Sequence, residues 1–148
     1  MRKLTILRKK TFVACLMKIK VYIESFDGTG EEINGVLCRK LGEIANGEEA
    51  TFEIGEGSAK VFVIIDKLSK NYCNDCYQIP EGTEDVYLCG QNKFNLATGN
   101  AFVFENNNNP QTQENRKRNT RKGLIVLIVC LVVGFAIGFV LGFSGLLG

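Results

Sequence analysis

"KIKVYIE", residues Lys18–Glu24, alternates without a break: Ile19, Val21 and Ile23 fall on one face, and Lys18, Lys20, Tyr22 and Glu24 on the other. A period of two marks a half-buried strand, because successive side chains leave opposite faces of the pleat. The pattern continues outward along the chain. "EATFEI" (49–54) brings Ala50, Phe52 and Ile54 to one face, and "AKVFVIID" (59–66) is a nearly continuous β-branched and aromatic run that suits a central strand buried on both faces. "KLTIL" (3–7), "GVLC" (35–38), "DVYLC" (85–89) and "NAFVF" (100–104) are shorter candidates. Asn46–Gly47 is a hairpin signal, and Gly28–Gly30 and Gly55–Gly57 mark turns. No amphipathic helix interrupts this series. Residues 1–104 therefore predict an all-β domain, a small antiparallel β-sandwich of about seven short strands.

The middle of the chain has a relative in pattern. "KVYIE" followed by "RKLGEIANGEEATFEIGEGSAKVFVIID" resembles the PEGA and carboxypeptidase-regulatory-like β-sandwich modules: a strand, a Gly-centred approach to a turn, a hairpin ending in Gly, and a strand of alternating valines. The resemblance spans residues 18–66, about half of the soluble part, and rests on turn glycines. The chain departs from it by inserting "SFDGTGEEINGVLC" after the first matched strand and by adding a Cys-bearing C-terminal part. Such modules are usually non-catalytic binding or spacer units, which is what the resemblance implies here.

The other deciding stretch is "RKRNTRKGLIVLIVCLVVGFAIGFVLGFSGLLG", Arg116–Gly148. Residues 123–148 carry no charged side chain. Twenty of them as a helix span about 30 Å, the thickness of a bilayer core, and a lone helix satisfies its own backbone in lipid. Arg116, Lys117, Arg118, Arg121 and Lys122 crowd its N-terminal flank, so residues 1–122 are expected on the cytoplasmic side of a single-pass, tail-anchored protein. The apolar stretch "TFVACLM" (11–17) is too short for a leader sequence, lacks a small-x-small cleavage site and runs straight into the strand pattern. Residues 105–122, "ENNNNPQTQENRKRNTRK", are Asn-rich and polar and read as a flexible juxtamembrane linker. Within the span, Gly134, Gly138 and Gly142 recur every four residues, the small-xxx-small spacing that lets a second helix approach closely, so a homodimer through the span is a natural expectation.

Charge narrows the partners. Residues 1–104 hold 13 basic and 14 acidic groups, a balance of −1, whereas residues 105–122 hold 5 and 2, a balance of +3. The basicity belongs to the flank of the span and suits anionic headgroups; no basic stripe with aromatics on the folded part points to nucleic acid. With no His in the chain, Ser-His-Asp and Cys-His machinery is absent; "GTGEEI" lacks the third glycine of a nucleotide-binding loop, and "GEGSAK" leads into the strand "VFVIID" where a phosphate-binding loop would open a helix.

Six cysteines remain. Cys130 lies in the span, and Cys15 occupies a strand-like position where burial is expected. Cys73 and Cys76 form a Cys-x-x-Cys pair, and with Cys38 and Cys89 they make up the thiolate count of a zinc site, although such sites usually show two Cys-x-x-Cys pairs. The same pair could be redox-active, a chemistry that needs a lowered thiol pKa. The primary expectation is a non-enzymatic membrane-tethered β-domain, without a cofactor, that binds an unidentified protein or ligand. A thiol-redox or zinc module on Cys73, Cys76 and Cys89 is the alternative.

Overall fold

The computed structural model describes residues 1–65, 75–95, 99–105, 107 and 110–146. Among the described residues are nine strands: β1 (Arg2–Arg8), β2 (Ile19–Glu24), β3 (Glu31–Ile33), β4 (Val36–Ile44), β5 (Glu49–Ile54), β6 (Ala59–Ile64), β7 (Cys76–Ile79), β8 (Val86–Asn95) and β9 (Gly99–Phe104). One helix follows, α1 (Pro110–Leu146). The strands form two sheets, ordered β5-β1-β8-β9 and β3-β4-β2-β6-β7. The two sheets share one hydrophobic core: Leu4 and Ile6 of β1 and Phe102 and Phe104 of β9 pack in the same cluster as Ile19, Val21 and Ile23 of β2 and Val61 and Val63 of β6.

The alternating strands behave as their periodicity demands. Ile19, Val21 and Ile23 are buried, and Ile54 anchors β5 with Ala50 and Phe52 packed behind it. In β6, Val61 and Val63 point into the main core while Phe62 and Ile64 enter a second cluster with Tyr22, Ile33 and Cys38. That second cluster corrects the polar-face assignment of Tyr22, which is only 3% exposed.

Three further expectations change. The β-domain is not wholly antiparallel, because β1 pairs parallel to β8, with Leu4 opposite Val86 and Ile6 opposite Leu88. Asn46–Gly47 does not close a hairpin: β4 pairs with β2, and β5 pairs with β1 in the other sheet, so the turn carries the chain between sheets. Gly47 supplies the positive φ of +83° this crossing needs. Finally, residues 110–122 are helical, continuous with the apolar segment that follows. A helix already nucleated in that segment extends at little cost into polar residues, which their composition alone does not reveal.

Three glycines are set by close packing, the first being Gly30 against the Cys38 carbonyl. A Cβ at Gly42 would meet the Phe52 ring at 2.7 Å, next to the register shift where β4 bulges against β2. At Gly90 it would run into the Phe102 ring, so the packing of that ring over the paired strands β8 and β9 depends on the glycine.

Candidate functional site

Strand β1 carries a buried arginine at each end of its inward row Arg2–Leu4–Ile6–Arg8. Arg2 gives its guanidinium to the carbonyls of Gly55 (3.2 Å), Gly57 (3.2 Å) and Pro80 (2.6 Å), tying down the turns at one end of the domain. Arg8, fully buried, donates to the carbonyls of Met17 (2.6 Å), Ala14 (2.9 Å) and Ile44 (3.1 Å) at the other. Burial lowers the Arg8 pKa from its ordinary value. Carbonyl dipoles at three points are what allow that charge to remain inside.

The loop that Arg8 holds, residues 9–18, is a built structure. Thr11 N–H donates to Asn46 Oδ1 at 3.0 Å and Asn46 Nδ2 donates back to Thr11 O at 2.9 Å, so the side-chain amide acts as a strand partner. Asn92 of β8 donates to Val13 O at 3.1 Å. Met17 N–H closes a turn on Ala14 O at 3.2 Å, with Ala14 held in the left-handed region at φ 50°. Val13 and Ala14 are half-buried, and Ala14 packs on the core. Phe12 and Leu16 face out, 98% and 96% exposed, with Met17 at 41%. Cys15 is exposed as well, contrary to its expected burial, because the chain leaves its strand at Arg8.

At the Arg2 end, a groove of about 400 Å³ opens between the turn at Ser25–Asp27 and the turn at Gly55–Gly57, with Phe26 (76% exposed) and Arg39 on its walls. Asp27 organises this rim. Its Oδ1 accepts from Ser25 Oγ (2.5 Å), Thr29 N–H (2.8 Å) and Thr29 Oγ1 (2.7 Å), and these bonds lower its pKa to about 2.

The third feature joins the helix to the domain. Phe104 closes β9 at a sheet edge; its N–H donates to Asp75 Oδ2 (2.9 Å), and its carbonyl accepts from Arg116 Nη2 (2.8 Å). Arg116 Nε donates to Asp75 Oδ1 at 2.7 Å, and its Nη2 forms an ion pair with the same carboxylate, whose side chain is 2% exposed. Asn107 Nδ2 donates to Cys76 O at 2.8 Å beside it. An arginine read as part of the topology signal is thus a clasp that fixes α1 to the sheet edge. Lys117, Arg118, Arg121 and Lys122 stay exposed.

Among the described residues, Cys38, Cys76 and Cys89 do not converge. Cys38 lies on β4 and Cys76 on β7, separated by β2 and β6, three strand spacings or roughly 14 Å apart. Cys89 belongs to the other sheet. A single zinc with thiolates about 2.3 Å away cannot join them. Cys73 lies outside the described residues. Burial pushes the Cys38 thiol up to about 11 and also raises Cys76 and Cys89, the opposite of a reactive thiol.

Gly134, Gly138 and Gly142 lie on α1, and a Cβ at Gly134 would meet open space. The stretch Thr112–Ile137, 26 residues, is long and apolar enough to cross a membrane, and none of its most apolar part is buried against the domain.

The clasp and the loop escaped sequence reasoning for one reason: each depends on partners far away in the chain. The apolar run at 11–17 with lysines on both sides was the visible trace of the loop. No family model matches the chain, and no curated protein is similar to it.

Proposed function

We propose that the chain is a single-pass, tail-anchored membrane protein whose helix holds a non-catalytic β-sandwich domain at the cytoplasmic face for binding another protein. The observation that carries this is the helical stretch Thr112–Ile137, whose most apolar part finds no burial against the domain although its first turns are clasped there through Arg116. A soluble protein would leave that surface in water at a cost of about 25 cal/mol per Å². Exposed Lys117, Arg118, Arg121 and Lys122 support the cytoplasmic placement of the domain. The PEGA-like resemblance points the same way, towards a binding or spacer unit.

The groove beside Phe26 is the partner face in this reading, since it combines an exposed aromatic with a basic wall at Arg39 and an acidic rim at Asp27. Aromatic and arginine side chains are the usual anchors of protein interfaces. The test is photo-crosslinking from position 26 of the full chain in its native membrane, with the captured species identified by mass spectrometry. A discrete protein adduct that disappears with Arg39→Glu supports the reading; a chain that fails to co-sediment with membranes, or captures nothing from position 26, overturns it.

The glycine face of α1 adds a second element, self-association through Gly134, Gly138 and Gly142. Gly138→Ile is expected to abolish dimerisation in a membrane reporter assay, and an unchanged dimer signal would remove that element alone.

A further inference from the structure

The loop at 9–18 is the feature that the binding reading leaves unused. Phe12 and Leu16 are almost wholly exposed, whereas Phe62, Phe102 and Phe104 are at most 3% exposed. Isolated exposed apolar residues need no explanation, but here two stand four residues apart on a backbone held from beneath by Arg8, Asn46 and Asn92. Fixing the backbone in advance lowers the ordering cost of inserting those side chains into another phase. Phe94, 61% exposed on β8 two residues beyond Asn92, extends the same surface.

Charge identifies the phase. Lys9, Lys10, Lys18 and Lys93 are exposed around the loop, and from Arg8 to Ile23 the chain has no acidic residue. Lys9 forms an ion pair with Glu105 at 2.8 Å, a carboxylate that Lys93 also faces, and Lys18 lies near Glu43. Apolar tips ringed by lysines suit a bilayer interface, where long side chains keep their ammonium groups among phosphates while the tips enter the acyl boundary. The Lys9–Glu105 pair also sets the root of the loop beside the residue where β9 gives way to the approach to α1.

We propose that the Thr11–Met17 loop is a membrane-docking loop, with Phe12 and Leu16 entering a leaflet that carries anionic lipid and Lys10, Lys18 and Lys93 meeting its headgroup phosphates. The inference rests on the anchoring of α1, which brings the bilayer within reach. Docking and anchoring thereby give the domain two points of membrane contact.

The chain has no Trp, so Phe12→Trp creates a single fluorescent reporter at a site whose exposure makes the change harmless to folding. The full chain carrying it is reconstituted into lipid nanodiscs of phosphatidylcholine, with and without phosphatidylserine, and Phe26→Trp serves as the reporter at the far end. In anionic discs the reporter at 12 is expected to shift to the blue and to be quenched by lipids brominated near the headgroup, while that at 26 keeps its water-exposed emission. Lys10→Glu and Lys18→Glu should each lower the docked-to-free ratio at least about fivefold, the effect of losing one basic residue at an anionic surface.

Leu16→Trp repeats the measurement independently. Water-like emission at both 12 and 16 in anionic discs overturns the proposal, as does a blue shift without bromolipid quenching, which would mean that protein and not lipid covers the loop. Failure of anchoring is read separately, because a chain without a membrane helix would not float with the discs at all.

Discussion

Replacing Arg116 with alanine tests whether α1 is mounted on the domain or merely tethered to it. In the clasp, Asp75 is 2% exposed and Arg116 33%, so the pair sits between the surface and buried regimes. Exposed pairs contribute about 0–1 kcal/mol, and breaking a buried one costs about 3–5 kcal/mol because a charge is left inside without its counterion. Asp75 loses both guanidinium bonds but keeps the Phe104 N–H among its partners, and the Phe104 carbonyl loses the guanidinium too. Water can reach the vacated arginine position, which places the cost near the lower bound, about 3 kcal/mol. For a domain of this size that is a fall of about 12 °C in Tm, read by near-UV circular dichroism of the full chain in nanodiscs. Hydrogen exchange at the Phe104 amide should accelerate in parallel. Arg118→Ala, an exposed neighbour, should stay within about 0.5 kcal/mol of the parent. A double-mutant cycle with Asp75→Asn should give a coupling of at least about 1 kcal/mol. If Arg116→Ala matches Arg118→Ala, or the coupling vanishes, the clasp contributes nothing and the mounting argument fails.

The other predictions concern the two ends of β1 and the thiols. Arg8→Met removes three carbonyl contacts and should cost about 3 kcal/mol, given roughly 1.5–3 kcal/mol per bond to a charged group before partial resolvation; limited trypsin digestion at Lys10 and Lys18 should quicken, and an unchanged digestion rate would show that Arg8 does not hold the loop. Asp27 has a folded pKa of about 2 against an ordinary 3.8, so its stabilisation is complete above the higher value and is lost as pH falls from there through the lower one. Asp27→Asn should therefore flatten the acid side of the stability profile in that window, and a profile identical to the parent's refutes the assignment. Cys15, exposed, should react with a water-soluble thiol reagent in the folded chain, whereas Cys38, buried with its pKa pushed up to about 11, should react only on unfolding. Equal rates at the two positions would contradict the placement of Cys15 outside the core.

What could be read in the sequence was local. The inward rows of β2 and β5 and the two-sided burial of β6 followed from alternation and from a continuous apolar run, and the length and lack of charge of α1's C-terminal part marked a membrane-spanning candidate. Periodicity says which way a side chain faces but not which strand lies beside it. The parallel pairing of β1 with β8 joins Leu4 to Val86, and nothing within either segment encodes the other. Tyr22 was misplaced for the same reason, since its apolar surroundings come from Ile33 and Phe62 on other strands. Arg8 lies just past the "KLTIL" candidate and carried no expectation, because its compensation lies in backbone carbonyls, which have no letter in a sequence. Arg116 looked like one of five interchangeable cations until Asp75 singled it out.

That single pairing alters what the domain can do under the anchoring proposed above. As a random coil, the 18 residues from Glu105 to Lys122 would have a root-mean-square reach of about 23 Å and would let the domain offer any face to the bilayer. Held by the clasp, the domain joins the helix at Arg116, seven residues and about 10 Å of helix before Gly123. It then has one orientation, and the ends of β1, about 20 Å apart, cannot exchange roles. The Arg8 end carries the lysine-ringed loop whose root is paired to Glu105 on the way to the helix, and the Arg2 end carries the groove beside Phe26. A mount that turns the first towards lipid must turn the second towards the cytosol. Loss of the clasp should consequently impair loop docking and partner capture together, although Arg116 touches neither surface.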